Sequence, residues 1–427
     1  MKLIKYPSRE NWSNILERPN LTTQSLDQIV NEVFDAVQKS GDSALSEYTK
    51  KFDKVVIDNL KVTVDEIEAS KNQVSNKLKE AIQLAKKNIE KFHTSQKADK
   101  KIITTSKGVD CWQESKGIEK VGIYIPGGTA PLFSTVLMLG IPAKIANCKE
   151  VILCTPPDKK GNINPAILYA ASLVGITQIF KVGGIQAIGA MTFGTEMIPN
   201  VYKIFGPGNQ YVTAAKQLAL TKGIAIDMLA GPSELLVLAD ESANAAFVAS
   251  DLLSQAEHGA DSQVICVSKS EQFLEEVVLE LERQLSKLSR KEITQKAIVN
   301  SKLILLGNDK DILELINEYA PEHFILVVDN EDFYLNGIVN AGSVFIGNYT
   351  PESAGDYASG TNHTLPTNGF AKSYSGVNLD AFVKKITFQK ITKEGIQNIG
   401  NTIELMAEAE GLDAHKNAVT LRLESLK

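Results

Sequence analysis

The middle of the chain alternates between short apolar runs that end in glycine or proline and longer stretches with helical spacing of apolar residues. The first four runs are VGIYIPGG (121–128), EVILCTPP (150–157), QIFKVGG (178–184) and VYKIFGPGN (201–209). Strands that alternate with helices form β-α-β units, in which helices cover both faces of a parallel sheet. The alternation therefore predicts an α/β fold.

A second series of the same kind runs from ELLVLAD (234–240) to SVFIG (343–347). At 427 residues the chain exceeds the size that one hydrophobic core supports. We therefore predict two incomplete Rossmann-like parallel-sheet domains, a helical N-terminal segment and an extended C-terminal tail. The predicted units are an N-terminal arm (1–25), a first α/β domain (26–122 and 236–375), a second α/β domain (123–235) and the tail (376–427).

The bulk composition argues against several classes of partner. A net charge of −6 does not suit a nucleic-acid surface, which needs clustered positive charge. No apolar run approaches the roughly 18 residues that a membrane-spanning helix needs. The cysteines show neither a C-x-x-C pair nor a zinc-finger spacing, so we expect a reducing, cytoplasmic location without disulfides.

Three glycine-bearing turns follow predicted strands and open predicted helices: PGGTAP (126–131), GGIQAIG (183–189) and GPGN (206–209). Backbone N–H groups at a helix start can hold a pyrophosphate. None of the three is a complete G-x-G-x-x-G, and each alone is equally well an ordinary β-α connection. Three on one sheet favour a nucleotide crevice at the carboxyl ends of the strands.

Polar residues around the histidines are the second chemical signal. In QAEHG, Gln255 and His258 lie three positions apart, which places them on one helix face. That spacing fits either the end of an ordinary amphipathic helix or half of a metal site. His363 in GDYASGTNH and His415 in EGLDAH also stand near carboxylates and glycines. Such loop residues carry function more often than packing.

The APEHF stretch places two proton carriers side by side. Pro321 biases Ala320 toward an extended shape, so Glu322 and His323 are predicted at a helix-to-strand corner. Both are suitable general bases near neutral pH if burial tunes them. The alternative is a capped turn with two solvated polar residues.

Several long stretches together resemble the histidinol dehydrogenase family. They are YIPGGTAPLFSTVLMLGIPA, GPSELLVLAD, DLLSQAEHGADSQ, APEHF, GSVFIGNYTPESAGDYASGTNHTLPT and AEAEGLDAH, in chain order. The resemblance runs from about residue 20 to the end of the chain. Ala260 stands where proline is common in the family, and Lys372 where arginine is common, and neither is a functional position.

The resemblance implies a reaction and a metal. The family oxidises L-histidinol to L-histidine, the final step of histidine biosynthesis, in a four-electron reaction through histidinaldehyde with two NAD⁺. One Zn²⁺ per subunit is implied, which would orient the substrate. The residues that match the family's zinc ligands are Gln255, His258, Asp356 and His415. A shell of nitrogen and oxygen ligands without thiolates suits a zinc ion that acts on a substrate.

The resemblance also assigns roles to individual residues. His323 would accept the alcohol proton as hydride leaves for NAD⁺, and Glu322 would activate the water that adds to the aldehyde. The first α/β domain would then hold the catalytic and zinc residues, and the second would bind NAD⁺. The residues that match NAD⁺-contacting positions are Tyr124, Gln186 and Asn209. Those that match substrate-contacting positions are Ser233, Gln255, His258, His323, Asp356, His363, Glu410 and His415.

The family is a homodimer in which the tail crosses to the partner subunit, so His415 and Glu410 are expected to complete the other subunit's site. Two other functions remain alternatives. A zinc hydrolase would use Glu322 as the base for a water molecule and would need no nucleotide. A non-catalytic metal- or nucleotide-binding protein would have no need of both Glu322 and His323.

Overall fold

The structure is a computed structural model that describes residues 1–19, 24–127, 130–228 and 231–427. The strands are β1 (Lys2–Lys5), β2 (Ile102–Ser106), β3 (Val109–Gly117), β4 (Lys120–Tyr124), β5 (Glu150–Cys154), β6 (Gln178–Phe180), β7 (Lys203–Phe205), β8 (Ala225–Ile226), β9 (Glu234–Ala239), β10 (Gln263–Ser268), β11 (Lys302–Leu305), β12 (His323–Val327), β13 (Ser343–Ile346) and β14 (Val383–Ile391). The helices are α1 (Trp12–Ile15), α2 (Gln24–Tyr48), α3 (Val64–Gln73), α4 (Asn76–Thr94), α5 (Phe133–Ile145), α6 (Pro165–Val174), α7 (Gly184–Phe193), α8 (Gln210–Thr221), α9 (Ala245–Ala256), α10 (Glu271–Leu285), α11 (Lys291–Asn300), α12 (Asp309–Tyr319), α13 (Glu331–Gly337), α14 (Glu352–Tyr357), α15 (Lys393–Ala409) and α16 (Asp413–Glu424).

The larger parallel sheet, here called the large sheet, has the strand order β1-β11-β10-β9-β12-β13. Every neighbouring pair in it is parallel. Along β9, Leu235 and Val237 pack into the core on one face, while Leu236 and Leu238 pack into the core on the other. The two-residue period of a strand therefore buries the run ELLVLA on both faces, as a helix-covered parallel sheet requires.

The smaller parallel sheet, here called the small sheet, has the order β6-β5-β4-β7-β8. Its neighbouring pairs are also parallel. The four apolar runs of the sequence form β4, β5, β6 and β7, and the glycine-bearing turns follow β4, β6 and β7. Gly128 and Thr129 of the first turn lie outside the described residues. The predicted α/β fold with two parallel sheets is confirmed.

The N-terminal helices pack on the small sheet. Helix α4 begins after Ser75, whose side chain accepts a hydrogen bond from the Leu78 N–H at 3.3 Å. Its apolar face, at Ile82, Ala85 and Ile89, joins the core that contains α5 and β4. Helices α2 and α3 likewise contact α7 and α6. The domain prediction grouped residues 26–122 with 236–375, whereas these helices contact the elements of the small sheet. Amphipathic spacing shows that a helix has a buried face but not which sheet it covers.

The N-terminal arm and the tail each contribute strands. Strand β1 pairs with β11 at the edge of the large sheet, from Lys2 opposite Lys302 onward. In the tail, β14 pairs antiparallel with β3, which pairs in turn with β2, so the tail contributes one strand to a third, antiparallel sheet that the sequence did not predict. Helices α15 and α16 follow and pack on each other. No helix in the described part of the chain is both long and apolar enough to span a membrane.

Candidate active site

The predicted catalytic doublet lies at the amino end of the large sheet. His323 is the first residue of β12, and Glu234 is the first residue of the neighbouring parallel strand β9. Helix α9 ends at Ala256 and the chain then turns to start β10, which brings Gln255 and His258 to the same edge. Because parallel strands all begin at one edge, residues far apart in sequence converge there.

The backbone of Glu234 holds both members of the doublet. Its N–H donates to Glu322 Oε2 at 2.8 Å, and its carbonyl oxygen accepts from His323 Nδ1 at 3.2 Å and from Gln255 Nε2 at 3.1 Å. Gln255 Nε2 also donates to Glu322 Oε2 at 3.3 Å. A proton fixed on Nδ1 of His323 leaves Nε2 as the basic nitrogen.

The residue two positions before the doublet, Ala320, has a left-handed backbone conformation. Ala320 has φ 51° and ψ 66°, and its N–H donates to the Ile316 carbonyl at 2.8 Å to close helix α12. The expected extended shape before Pro321 is therefore wrong, since the helix-ending hydrogen bond prevails over the preference of a residue before proline. The corner itself exists, and Glu322 and His323 are buried rather than solvated.

A cluster of metal-ligating groups surrounds His323. Ligand atoms of His323, Glu352 and Asp356 all lie within 4.8 Å of one another. Asp356 Oδ1 is 3.8 Å from His323 Nε2, and Glu352 Oε1 is 4.0 Å from His323 Nδ1. Sequence reasoning missed Glu352, although its four-residue spacing from Asp356 on α14 is the spacing that places two side chains on one helix face.

The structure brings together three of the four predicted zinc ligands. Gln255 is fully buried beside the doublet, whereas His258 is exposed and places Nδ1 3.3 Å from Ser233 Oγ. Burial raises the pKa of Asp356, but the nearby imidazoles of His323, His363 and His258 outweigh it and hold that pKa below its usual value. His415 is exposed on α16, and neither a hydrogen bond nor an ion pair links its side chain to another described residue.

Buried polar atoms at this edge lack partners in a way that fits a cation. Gln255 Oε1, His323 Nε2 and Glu352 Oε2 are buried without a hydrogen bond to any described residue. Buried polar atoms in folded proteins are nearly always satisfied by protein, water or an ion. Burial opposes protonation of His323, yet the Glu352 and Glu322 carboxylates hold its pKa well above the usual value. Of these unpartnered atoms, only Gln255 Oε1 belongs to a predicted zinc ligand; together with His258 and Asp356 it provides the amide, imidazole and carboxylate donors that suit zinc.

The predicted substrate residues fall into two groups. His363 lies in the site, where Nδ1 donates to the Asp356 carbonyl at 2.9 Å and Nε2 lies 2.9 Å from Thr135 Oγ1 of helix α5. Burial lowers the pKa of His363, which favours the neutral ring that accepts from Thr135. Glu410 is exposed at the end of α15, and its side chain forms neither a hydrogen bond nor an ion pair with a described residue.

The predicted cofactor residues line the carboxyl edge of the small sheet. Tyr124 is the last residue of β4, and its hydroxyl accepts from the Gly184 N–H at 3.1 Å where α7 begins. Gln186 is buried with Oε1 unpartnered among described residues. Asn209 caps α8 by accepting from the Tyr211 N–H at 3.1 Å.

A buried ion pair holds the turn that carries Asn209. Gly206 has φ 129°, and a Cβ there would meet the carbonyl of Tyr124, so the turn requires glycine. Asp227 Oδ2 accepts from the Gly206 N–H at 2.8 Å, and Lys216 Nζ donates to the Gly206 carbonyl at 2.9 Å. Lys216 and Asp227 also pair directly, at 3% and 1% side-chain exposure. Sequence reasoning missed this pair.

The two edges share a cavity of about 400 Å³. From the small sheet it is lined by Gly208, Asn209 and Gln210, and from the large sheet by Ser233, His258 and Gly259. A larger cavity of about 630 Å³ lies at the carboxyl ends of β4 and β5, beside Pro126 and Thr155. One predicted cofactor residue, Asn209, and one predicted metal ligand, His258, thus line the same cleft.

Comparison with known proteins gives one consistent result. A model of the histidinol dehydrogenase family matches residues 16–423. The chain is 61% identical over 427 residues to a histidinol dehydrogenase of Bacteroides thetaiotaomicron, covering 100% of both chains. It is 50% identical over 421 residues to one from Escherichia coli, covering 98% of this chain and 96% of the relative.

A solved structure agrees with the sequence relatives. The crystal structure of histidinol dehydrogenase from Elizabethkingia anophelis superposes with a TM-score of 0.98 at 59% identity, covering 100% of this chain and 98% of that chain. A family match across nearly the whole chain, relatives at 50% identity or more and the same fold over its full length lead to one conclusion: the chain belongs to the histidinol dehydrogenase family.

Proposed function

We propose that this chain oxidises L-histidinol to L-histidine through histidinaldehyde, with two NAD⁺ consumed in succession and with zinc bound at the amino edge of the large sheet. The supporting observation is the buried Glu322–His323 doublet, held on the backbone of Glu234 beside unpartnered donor atoms. Two adjacent bases suit a reaction that needs a proton acceptor in each of two oxidations.

His323 serves the first oxidation. With Nδ1 donating to the Glu234 carbonyl, Nε2 is the nitrogen that accepts the proton of the substrate hydroxyl. The carbon that bore the hydroxyl loses hydride to NAD⁺ and becomes the aldehyde. Burial of the His323 ring excludes bulk water from the same position.

Glu322 serves the second oxidation. Its Oε2 is fixed by the Glu234 N–H and the Gln255 amide, while Oε1 makes no hydrogen bond to a described residue and is the oxygen that accepts a proton from water. The hydroxide left from that water would add to the aldehyde carbon to give the hydrate anion, loss of a second hydride to NAD⁺ would give the carboxylic acid, and release of its proton to solvent would leave the carboxylate. The two bases thus act on different oxygen atoms.

Gln255, His258 and Asp356 would hold the zinc ion, with His415 supplied by a second subunit. Bound zinc supplies a Lewis acid that orients the nitrogen atoms of the substrate. Ser233 and His363 flank this position in the same chain, and Glu410 of the tail would face the cationic amino group. Tyr124, Gln186 and Asn209 would contact NAD⁺ from the carboxyl edge of the small sheet, where Asn209 lines the cleft.

The exposed tail supports a shared site. Glu410 and His415 are exposed in this chain, on helices that also expose Leu405, Met406 and Leu421. Ile102, Ile103 and Ile386 of the antiparallel sheet are exposed as well. Exposed apolar side chains gathered on one part of a chain are typical of a subunit interface. We therefore propose a homodimer in which each tail completes the partner's site.

The decisive experiment is NADH formation from L-histidinol by protein as purified, after chelation and after zinc is restored. Two NADH per histidinol, lost on chelation and recovered with zinc, is the expected result. NADH formation that chelation leaves unchanged would contradict the zinc assignment. A zinc-bound protein without NAD⁺-dependent turnover would instead support the hydrolase alternative, in which Glu322 activates water.

Shared sites can be tested by complementation. A mixture of His415→Ala and Glu322→Gln chains forms some mixed dimers. In these, one site combines the intact Glu322 of the first chain with the intact His415 of the second. Activity that exceeds the sum of the two separate variants is expected after the subunits are exchanged. No gain after exchange, with mixed dimers verified by mass, would place His415 in its own chain's site.

A further inference from the structure

A buried ion pair between the N-terminal arm and the large sheet lies directly behind the catalytic doublet. Arg18 Nε donates to Glu234 Oε1 at 2.6 Å, and its Nη2 donates to Glu234 Oε2 at 2.8 Å. The two side chains are 14% and 2% exposed. This parallel pair of charge-assisted bonds fixes the direction of the carboxylate as well as its position.

Arg18 also contacts the end of helix α12, the segment that leads to the doublet. Its Nη2 donates to the Tyr319 carbonyl at 2.6 Å, and its guanidinium carbon lies 4.1 Å from the centre of the Tyr319 ring. Tyr319 is the last residue of α12, immediately before the left-handed Ala320. One side chain therefore connects the start of β9 with the turn that enters β12.

Glu234 passes this constraint to the site through its backbone. Its carboxylate accepts from Arg18 and from the Asn368 N–H at 2.5 Å, while its own N–H and carbonyl bind Glu322, His323 and Gln255. The carboxylate fixes the residue from one side, and the peptide groups on either side of it contact the proposed bases and one proposed zinc ligand. A displacement of Glu234 would therefore move three site residues together.

We propose that Arg18 and Glu234 form a positioning pair that sets the geometry of Glu322, His323 and Gln255. Without Arg18, the Glu234 carboxylate would be buried with only the Asn368 N–H as a partner, and it would have to shift toward solvent or take up a proton. A shift of about 1 Å in groups that must align with a reacting bond costs on the order of 100-fold in rate. The inference rests on the proposed function for its catalytic part.

The test compares two arginines of the same arm. Arg18→Gln and Arg18→Lys probe the pair, and Glu234→Gln removes its negative charge while keeping its shape. Arg9→Gln is the matched control, because Arg9 also joins the arm to the large-sheet unit through Asp311 and Glu314 but is 54% exposed and away from the doublet. Measurements are kcat, KM for each substrate, oxidation of added histidinaldehyde, zinc affinity and Tm.

We expect Arg18→Gln to lower kcat for both oxidations by about 100-fold, with KM for NAD⁺ changed less than threefold. Zinc affinity should fall by about 10-fold or more, since Gln255 loses its fixed partner. Arg18→Lys should recover part of both losses, and Arg9→Gln should change neither by more than twofold. If Arg18 only attaches the arm, Arg18→Gln should lower Tm and leave kcat and zinc affinity at their wild-type values.

The outcomes separate this inference from the proposed function. If the wild type oxidises histidinol and folded Arg18 variants keep the same kcat and zinc affinity, the positioning pair is overturned and the proposed function is not. If Arg18→Gln does not fold, Arg18→Lys and Glu234→Gln decide by the same criteria. A wild-type chain that binds zinc but does not oxidise histidinol would overturn the proposed function, and zinc affinity would still test the pair. A wild-type chain that neither binds zinc nor oxidises histidinol would overturn both the proposed function and the positioning pair.

Discussion

The two parallel sheets present opposite edges to the cleft. The large sheet contributes its amino edge, where β9 and β12 begin at Glu234 and His323. The small sheet contributes its carboxyl edge, where β4 ends at Tyr124 and β7 at Phe205. Ligands of open α/β sheets usually bind outside the carboxyl ends of the strands, so only the small sheet follows the general rule.

This difference changes which helix ends face the ligand. At the small sheet, α7 and α8 begin, and the N–H groups of a helix start favour a negatively charged group such as a pyrophosphate. At the large sheet, α9 and α12 end, and the carbonyl groups of a helix end favour a positive charge. The same β-α-β unit thus suits a nucleotide at one edge and a cation at the other.

Each edge is backed by a buried ion pair that binds backbone groups of the site. Arg18–Glu234 lies behind the doublet, and Lys216–Asp227 holds Gly206 in the turn before Asn209. If the two edges have separate tasks, variants at one should change the proton-transfer steps and variants at the other should change NAD⁺ binding.

The largest effect is expected at the amino edge. His323→Asn removes the proposed proton acceptor while an amide can still contact the Glu234 carbonyl. We expect kcat to fall by about 1,000-fold with KM for NAD⁺ within threefold, as measured by steady-state kinetics. A fall of less than tenfold would remove His323 from the chemistry, and an equal rise in the KM for NAD⁺ would break the division between the edges.

The buried pair behind the small sheet should govern stability and nucleotide binding. Lys216→Met leaves Asp227 buried without its cation, which should lower the free energy of unfolding by about 3–5 kcal/mol. The KM for NAD⁺ should rise while the KM for histidinol stays near its wild-type value. Replacement of both partners, by Lys216→Met with Asp227→Asn, should recover part of the stability, as denaturant unfolding would measure. No difference between single and double variants would contradict the pairing.

The turn itself gives a smaller, local effect. Gly206→Ala places a Cβ against the Tyr124 carbonyl at a positive φ and should lower the free energy of unfolding by about 2 kcal/mol while raising the KM for NAD⁺. Gly223→Ala is the control, because Gly223 also has a positive φ but its Cβ would meet nothing within 4 Å. Equal effects on KM from both variants would show that the close approach to Tyr124 is unimportant.

The smallest effect concerns Asp53, a half-buried carboxyl that belongs to the small-sheet side. Burial raises the pKa of Asp53 from 3.8 to about 6, and Oδ2 has no partner among described residues. Because the pKa is raised in the folded state, protonated Asp53 costs the fold nothing below pH 4. The free energy of unfolding then decreases as the pH rises through 6 and the carboxyl ionises. Asp53→Asn should therefore stabilise the protein by about 1 kcal/mol at pH 8, after allowance for solvent screening, and by nothing at pH 3.5. Urea unfolding at the two pH values provides the measurement, and an equal gain at both would exclude ionisation as the cause.

The fold was predictable where local pattern determines it. The strand runs, their glycine-bearing ends and the helix-to-strand corner at Glu322 could all be identified, because a two-residue period and turn residues are local properties. The conformation of Ala320 could not be predicted, since its left-handed backbone depends on a hydrogen bond that closes a particular helix. Nor could the sequence reveal which sheet α2 to α4 would cover.

The site was predictable in its residue types but not in its supports. Gln255, His258 and Asp356 were identified through resemblance, and the structure places them at one edge. Glu234 was unnoticed because it acts mainly through its backbone, which is chemically the same at every residue. Arg18 was unnoticed because its partner is more than two hundred positions away in the chain, and no short motif joins the two.

Strand β1 has a consequence for the order in which the protein forms during synthesis. Its partner β11 lies near residue 302, and the partner of Arg18 is Glu234, so β1 and Arg18 leave the ribosome long before the residues that they contact. All strands of the small sheet and the helices that cover it have emerged once residue 228 has been made, although Val377, Leu379 and Phe382 of the tail join their core later, and contacts close in sequence form early. Strand β1 and Arg18 must therefore stay without these partners while the small-sheet unit begins to fold, and β1 can pair only after β11 has been made.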